Sequence, residues 1–270
     1  MRHPFFELPH PIVIGHRGAA GEYPENTLLS FERALDQGAA ILESDVHVSR
    51  DGVPILLHDA TLERVCGAPG AACDRTWQAL CELDAGAGFR APSGEQPFLG
   101  RGVRIASLEQ AFERFPAARF NLEIKCAGGP VVRETLRLIE RFERADRTLL
   151  TAGEDEIMQG LRDAVASSRV RPALGASLSE ILAVIASALR GEPMPEGVMA
   201  LQIPAEFAGK PLVTRALVDH AHATGVEVHV WTINERAEID ALLRLGVDGI
   251  VTDFPGRMAR WQGDGAQRER

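Results

Sequence analysis

Two acidic residues interrupt an apolar segment near the start of the sequence. The stretch "ILESDVHVSRDGVPILLHD", residues 41–59, begins like a buried strand, yet it contains Glu43 and Asp45. Side chains two positions apart point to the same face of a strand, so these carboxylates are neighbours. Neighbouring carboxylates repel each other and are costly to bury. Such a pair alone is typical of a solvated strand face, whereas a bound divalent cation would make it favourable.

Other side chains that can do chemistry lie where predicted strands end. They are His16 and Arg17 in "GHRG", His58 in "PILLHD", Glu123 and Lys125 in "FNLEIK", and Trp231 in "VEVHVWTIN". A lone histidine before a turn is often structural, and Trp231 either contacts a substrate or fills the mouth of a barrel. The convergence of several such groups from different strands indicates a site.

The combined residue types suit the chemistry of a phosphate group. Glu43, Asp45 and Glu123 supply three oxygen ligands for one hard divalent cation, Mg2+ or Ca2+, with positions left for water and a substrate oxygen. Two basic residues, Arg17 and Lys125, would balance phosphate charge. The two histidines named above can transfer protons near neutral pH.

Strand-like and helix-like segments alternate along the chain. The apolar strand-like segments are residues 11–15, 40–48, 119–124, 148–151, 172–175, 198–203, 226–231 and 247–252. Eight strands, each followed by a helix, predict an α/β fold of the (β/α)8 barrel type, with its active site at the C-terminal strand ends. An open doubly wound sheet is the alternative, although no G-x-G-x-x-G follows the first strand.

The same pass along the chain predicts the domain organisation. Residues 1–262 are expected to form a single barrel domain, and 263–270 a frayed polar tail. Residues 60–104 contain no convincing strand and are rich in Gly and Pro. We expect an irregular insertion after the second strand, lying over one end of the barrel, although a surface loop without a role also fits.

Composition narrows the class of protein. The chain has 270 residues and a formal net charge of −9, which disfavours generic binding to nucleic acid or to anionic membranes. No run of 18 apolar residues predicts a membrane span, and no secretory signal is recognisable. The four cysteines form no C-x-x-C pair, which favours reduced thiols in a cytoplasmic protein.

Several ordered motifs also resemble those of the glycerophosphodiester phosphodiesterases. The resemblance rests on "HRGAAGEYPENT", "ESD", "DGVPILLHD", "LEIK", "VWTIN" and "GVDGIVTDFP", and extends from about residue 12 to residue 256. The segment "IASLEQAF" is similar to the family's "IPTLEE", with Ala106 in place of the usual Pro. The resemblance implies a metal-dependent hydrolase on a (β/α)8 barrel that releases glycerol 3-phosphate and an alcohol from a small glycerophosphodiester.

By position in those motifs, the resemblance also implies residue roles. His16 and His58 look like the general base and acid, and the three carboxylates look like the ligands of one divalent cation. Arg17 and Lys125 look like phosphate contacts. We further expect the substrate's glycerol 2-hydroxyl, rather than water, to attack the phosphorus, because it is already tethered to it.

Other functions stay open at this point. An enzyme with the same chemistry could act on lysophospholipids or on another phosphodiester, depending on the alcohol side of the pocket. A non-catalytic phosphate-binding barrel is a further alternative, but it predicts loss of a histidine or a carboxylate, and all are present. The oligomeric state and the choice between Mg2+ and Ca2+ are not determined by the sequence.

Overall fold

Eight parallel strands form a nearly closed ring, which confirms the predicted (β/α)8 barrel over the open doubly wound sheet. The computed structural model describes residues 2–126 and 130–268, with side chains up to residue 262. The strands are β1 (Ile12–Gly15), β2 (Ile41–Val48), β3 (Pro54–Leu56), β4 (Arg119–Ile124), β5 (Thr148–Thr151), β6 (Ala173–Leu174), β7 (Ala200–Pro204), β8 (Glu206–Phe207), β9 (Lys210–Pro211), β10 (Glu227–Trp231) and β11 (Gly249–Thr252).

The ring follows the order β6, β5, β4, β2, β1, β11, β10, β7. Between β6 and β7 a backbone hydrogen bond of 3.2 Å joins the Met199 N–H to the Leu174 carbonyl. Two elements lie outside the ring: β3 pairs antiparallel with the end of β2, and β8 and β9 form a hairpin directly after β7. Since the ring strands are parallel, their C-terminal ends all meet at one face of the barrel.

Helices cover the outside of the ring. They are α1 (Leu28–Asp36), α2 (Glu63–Cys66), α3 (Trp77–Leu80), α4 (Leu108–Arg114), α5 (Pro130–Arg141), α6 (Asp155–Ser167), α7 (Leu178–Arg190), α8 (Arg215–His222), α9 (Arg236–Leu245) and α10 (Pro255–Arg268). Short 3-10 helices lie at Pro4–Phe6, Ala72–Asp74 and Ala145–Arg147.

Local capping explains several helix boundaries. The Ser107 hydroxyl accepts a hydrogen bond from the Gln110 N–H, and the Gln110 side chain accepts one from the Ser107 N–H, which together begin α4. The Thr27 hydroxyl caps α1 by accepting a hydrogen bond from the Ser30 N–H. Gly246, in the left-handed region at φ +90°, ends α9.

The N-terminal segment closes the end of the barrel at which the ring strands begin. Phe5 and Phe6 are 0% and 2% exposed, and they pack against inward-facing side chains of the ring strands, including Ile12 and Ile14. The end of the barrel opposite to the C-terminal strand ends is therefore filled by apolar groups from the chain's own start.

Residues 60–104 follow β3 and hold two short α-helices with a small core of their own. That core contains Leu62, Val65, Leu80 and Val103, and Ile55 of β3 joins it to the barrel. Buried apolar contacts of this kind stabilise the segment although it contains few regular elements.

Three further features bear on the sequence predictions. All four cysteines are free thiols. Among the described residues, no helix combines the length and apolar character that a bilayer span requires. Helix α10 continues through Arg268, so the backbone of 263–268 in the expected tail is helical, while residues 269 and 270 lie outside the described residues.

Candidate active site

The residues singled out by the sequence lie around the C-terminal strand ends. We call this end the carboxyl face; it holds His16, Asp45, Glu123 and Trp231. His16 directly follows β1, and Trp231 is the last residue of β10. The parallel register of β2 and β4 places Asp45 opposite Glu123. Four separate strand ends thus contribute side chains to one region, as the barrel fold predicts.

The carboxylates on this face are held by two cations of the protein. The Lys125 ammonium lies 3.1 Å from Asp45 and 2.7 Å from Glu123. The Arg17 backbone N–H donates to Glu43 Oε2 at 2.9 Å, and its guanidinium lies 3.3 Å from Asp45. The structure therefore brings all five of these predicted residues into one connected cluster.

Glu43 and Asp45 respond differently to their surroundings. Burial and the neighbouring Asp45 charge raise the pKa of Glu43 to about 7. Burial also opposes ionisation of Asp45, but Lys125 and Arg17 outweigh it and hold its pKa below the ordinary value. Negative charge at Glu43 is therefore not fully compensated by the protein's own cations.

The donor set fits a hard divalent cation. Glu43, Asp45 and Glu123 offer only oxygen ligands, and a divalent cation would relieve the repulsion between the first two. Among the described side chains, the oxygens of these three do not all lie within 4.8 Å of one another. Lys125 instead lies between Asp45 and Glu123 and balances part of their charge.

Each predicted catalytic histidine has a carboxylate on its Nδ1 atom. His16 Nδ1 lies 2.6 Å from Asp253 Oδ1, and His58 Nδ1 lies 2.7 Å from Asp59 Oδ1. Burial lowers the pKa of His16, but the hydrogen bond to Asp253 and the Glu43 charge outweigh it and raise that pKa. With Nδ1 engaged, Nε2 is the nitrogen that each ring keeps for proton transfer.

Asn234 fixes the carboxylate behind His16. Its side-chain amide donates to Asp253 Oδ2 at 2.7 Å, and its carbonyl oxygen accepts from the Asp253 N–H at 2.9 Å. The hydrogen bond from His16 lowers the pKa of Asp253 although burial alone would raise it. Asp253 therefore orients the ring of His16, and Asn234 in turn fixes Asp253.

A basic residue of the 60–104 segment fixes the carboxylate behind His58. Arg64 Nε donates to Asp59 Oδ2 at 2.6 Å, and its Nη1 donates to Glu25 Oε2 at 2.6 Å. Glu25 in turn accepts from Arg17 at 3.0 Å. The Arg64 hydrogen bonds hold the pKa of Asp59 well below its usual range. The segment thus contributes to the site, although the sequence left open whether it has a role.

Four of these positioning residues were missed by sequence reasoning: Asp59, Arg64, Asn234 and Asp253. Asp59 and Asp253 lie within the quoted motifs "LLHD" and "VTDFP", so an acidic residue next to a strand end was the available signal. A further polar neighbour is Asn26, whose side-chain amide donates to Asp45 Oδ2 at 3.0 Å. It adopts φ +56°, a left-handed conformation that Asn tolerates better than most residues.

Two exposed aromatic side chains lie on the carboxyl face beyond the polar cluster. Trp231 is 43% exposed and pairs in register with Pro204 at the end of β7. Phe207, in the hairpin that follows β7, is 70% exposed. Sequence reasoning did not identify Phe207, because β8 and β9 are too short to be recognised from an apolar pattern.

Comparisons with known proteins identify the family of the chain. The glycerophosphoryl diester phosphodiesterase family model matches residues 16–257. A probable glycerophosphodiester phosphodiesterase 2 of Mycobacterium tuberculosis is 31% identical over 265 residues, covering 94% of each chain. A lysophospholipase D of Mus musculus is 29% identical over 270 residues, covering 91% of this chain and 84% of the relative.

A solved structure shares the fold. It is an Oleispira antarctica phosphodiesterase in complex with the product sn-glycerol-3-phosphate, with a TM-score of 0.73 and 23% identity, covering 93% of this chain and 96% of that one. The family match spans nearly the whole barrel and includes every residue of the polar cluster described above. The chain therefore belongs to the glycerophosphoryl diester phosphodiesterase family and is an enzyme that hydrolyses phosphodiesters.

Proposed function

We propose that this enzyme hydrolyses glycerophosphodiesters to glycerol 3-phosphate and an alcohol by histidine acid–base catalysis at the carboxyl face. The observation that carries the proposal is the pair of histidines, His16 and His58, each with a carboxylate on Nδ1, beside a cluster of carboxylates and cations. An acid and a base on the same phosphate can take one proton and donate another, which is what diester cleavage requires.

We assign the oxygen ligands of one divalent cation, Mg2+ or Ca2+, to Glu43, Asp45 and Glu123. Such a cation stabilises charge on a phosphoryl oxygen and lowers the pKa of a bound hydroxyl. Arg17 and Lys125 contact the phosphate, where their positive charge balances the charge that develops in the transition state. Trp231 lines the same face and contacts the substrate.

The nucleophile in this proposal is the glycerol 2-hydroxyl of the substrate. One histidine removes its proton, the oxygen attacks phosphorus, and the other histidine protonates the departing alcohol. The product of this step is a cyclic 1,2-phosphate, which water opens while the histidines exchange roles. Tethering favours this path because no second molecule has to be immobilised.

Release of glycerol 3-phosphate from glycerophosphocholine, glycerophosphoethanolamine and glycerophosphoglycerol tests the substrate class. Chelator-treated enzyme should release none, and Mg2+ or Ca2+ should restore turnover. His220→Ala is a matched control, because that imidazole bonds Ser187 between outer helices at 2.8 Å, away from the site. Full turnover in excess chelator contradicts the metal assignment, and no turnover of any diester contradicts the substrate class.

A diester of propane-1,3-diol tests the nucleophile. This analogue keeps the phosphodiester but lacks the 2-hydroxyl, so it should bind as a competitive inhibitor and resist cleavage. Hydrolysis at a rate close to that of the glycerol diester would mean that water attacks directly. The assignment of the site residues would survive that outcome, whereas the cyclic intermediate would not.

A second candidate substrate class is the lysophospholipids. Phe207 and Trp231 are 70% and 43% exposed at the C-terminal ends of neighbouring strands, and they offer apolar surface that a glycerophosphodiester without an acyl chain does not need. The relatives include lysophospholipases D. Phe207→Ser should lower kcat/KM for lysophosphatidylcholine about tenfold, since burial of such a side chain contributes roughly 1.5–3 kcal/mol. Equal loss for glycerophosphocholine, or none for either substrate, contradicts this candidate.

Leu189→Ser is the control for that variant. Leu189 is 82% exposed near the end of α7, on the outside of the barrel and away from the carboxyl face. It tests whether removal of any exposed apolar group affects a lipid substrate.

The same features bear on the domain organisation and the cellular compartment of the protein. We infer that residues 1–262 act as one phosphodiesterase domain, in which 60–104 supplies Arg64 to the site. Four free cysteines suit a reducing compartment such as the cytoplasm.

A further inference from the structure

A second polar cluster lies at the opposite end of the barrel, which we call the amino face. It holds His10, Glu227 and Asp248. His10 lies two residues before β1, Glu227 begins β10, and Asp248 directly precedes β11. These three strands are neighbours in the ring, so the residues meet although 217 positions separate the first two. The strands have four or five residues at about 3.3 Å each, which puts this cluster roughly 15 Å from the carboxyl face.

The ligand atoms of this cluster are close together. His10 Nε2 lies 3.0 Å from Glu227 Oε1, and His10 Nδ1 lies 3.4 Å from Asp248 Oδ1. Among the described side chains, this is the only set of three His, Cys, Asp or Glu residues whose ligand atoms all lie within 4.8 Å of one another. The set combines one imidazole with two carboxylates.

The outer oxygen of each carboxylate is already engaged. His229 Nε2 lies 2.7 Å from Glu227 Oε2. Asp248 Oδ2 accepts from the Val228 N–H at 2.8 Å and lies 2.8 Å from His222 Nε2. Glu227 Oε1 and Asp248 Oδ1 face His10, and Glu227 Oε1 also pairs with the Arg2 guanidinium. Groups that bond one oxygen of a carboxylate in this way commonly orient its other oxygen toward a metal ion.

Burial makes a cation at this place favourable. Glu227 and Asp248 are 2% and 6% exposed, and two carboxylates at that depth need positive charge between them. Arg2 pairs with Glu227 and supplies one such charge. Its side chain is 43% exposed, so a metal ion can replace it at little cost.

We propose that His10, Glu227 and Asp248 form a second metal site, which binds Zn2+ or a similar transition metal with water as the fourth ligand. Mixed nitrogen and oxygen donors suit Zn2+, whereas Mg2+ and Ca2+ prefer oxygen alone. The metal joins the N-terminal segment, through His10, to the starts of β10 and β11. Its role is structural, because the site is at the end of the barrel opposite to the reacting phosphate.

Zinc binding to untagged, chelator-treated protein tests this site. Excess Mg2+ is kept present to occupy the carboxyl face, and bound Zn2+ is counted by equilibrium dialysis and mass spectrometry. Wild-type protein should retain a Zn2+ that His10→Ala and Asp248→Asn lose, with affinity at least about 100-fold lower. His10 is only partly buried, so its variant should fold even if the Asp248 variant does not.

Arg2→Ala separates the metal site from a purely structural ion pair. Removal of the competing guanidinium should tighten Zn2+ binding and leave turnover of glycerophosphodiesters unchanged. His220→Ala, on an outer helix, should bind Zn2+ like wild type. Equal Zn2+ binding by wild type and His10→Ala, or a lower melting temperature of Arg2→Ala that Zn2+ does not restore, overturns the proposal.

Discussion

Both ends of the barrel combine histidines with carboxylates, but the supporting and the supported side chains are exchanged. On the carboxyl face, carboxylates hold histidines: Asp253 and Asp59 engage Nδ1 of His16 and His58. On the amino face, histidines hold carboxylates: His229 engages the outer oxygen of Glu227, and His222 does the same for Asp248. The first arrangement leaves Nε2 of each ring for proton transfer. The second leaves one oxygen of each carboxylate facing His10, with Arg2 also paired to that oxygen of Glu227.

This exchange explains how the same residue types can serve either proton transfer or cation binding. A ring nitrogen that is free on one side can accept or donate a proton during a reaction. An oriented carboxylate oxygen can instead share a cation and hold chain segments together. In our proposals, the histidines supported by carboxylates are reacting groups, and the carboxylates supported by histidines are ligands of a cation.

The largest expected effect is a loss of activity when a histidine of the carboxyl face is replaced. His16→Ala and His58→Ala should each lower kcat/KM for the preferred diester about 100- to 10,000-fold, the usual cost of losing a general acid or base. His222→Ala, on the amino face, should change it less than about twofold. Steady-state kinetics of the three variants measure this contrast. A loss in His222→Ala as large as in His16→Ala would break the distinction between the faces.

A second prediction concerns Mg2+ or Ca2+ at the carboxyl face. A cation at 100 times its dissociation constant should raise the free energy of unfolding of the wild type by about 2.7 kcal/mol. Glu43→Gln should lose most of this gain, because it removes a ligand, while Asp248→Asn should keep it. Melting curves with and without the cation give the comparison; an unchanged response in Glu43→Gln argues against its role as a ligand.

The third prediction tests the carboxylate behind His16. The hydrogen bond to Asp253 favours the protonated ring, so Asp253→Asn should lower the pKa of His16. If His16 is the base, the rising limb of the kcat/KM profile should move to lower pH, while the maximum falls about tenfold or more because the ring loses its orientation. A reduced maximum with an unmoved limb indicates that Asp253 acts only on folding or packing.

The smallest effect is expected at Arg64. Arg64→Gln removes the donors to Asp59 and Glu25, so turnover should fall only a few-fold and stability by about 1 kcal/mol or less, because the side chain is half-exposed. The pKa values of both carboxylates are lowered in the fold, so their contribution is present above their ordinary pKa and disappears as the pH falls.

Unfolding measurements in urea at pH 7 and pH 3 test this prediction. The difference between Arg64→Gln and wild type should shrink at pH 3. Arg33 pairs with Asp36 on the exposed side of α1, so Arg33→Gln is the control for loss of a surface ion pair. A difference that grows at pH 3 contradicts the assignment.

Much of the barrel followed from the sequence, because its signals are local. Each predicted apolar segment matches an observed ring strand, and only β7 extends beyond its segment, by one residue, since strands buried on both faces read as short apolar runs. Alternation along β2 and β4 also predicted which polar side chains share a face. The hydrogen bonds from Lys125 to Asp45 and Glu123 agree with that reasoning.

The support around these residues depended on contacts that no local pattern records. Asp253 lies 237 positions after His16, and Arg64 reaches Glu25 across 39 positions. Closure of the ring brings Asp253 to His16, because the last strand, β11, pairs with the first. Arg64 reaches Glu25 because residues 60–104 fold back onto the loop after β1. The hairpin of β8 and β9 escaped prediction because its strands are two residues long.

Residue types and their spacing along single strands thus predicted the fold class of this protein and singled out the groups that we propose react. The tertiary structure alone decided which carboxylate supports which histidine, and it alone gathered His10, Glu227 and Asp248 at the amino face. The physical reason is that side-chain alternation acts over a few residues, whereas a hydrogen bond needs two groups within about 3 Å, wherever they stand in the chain.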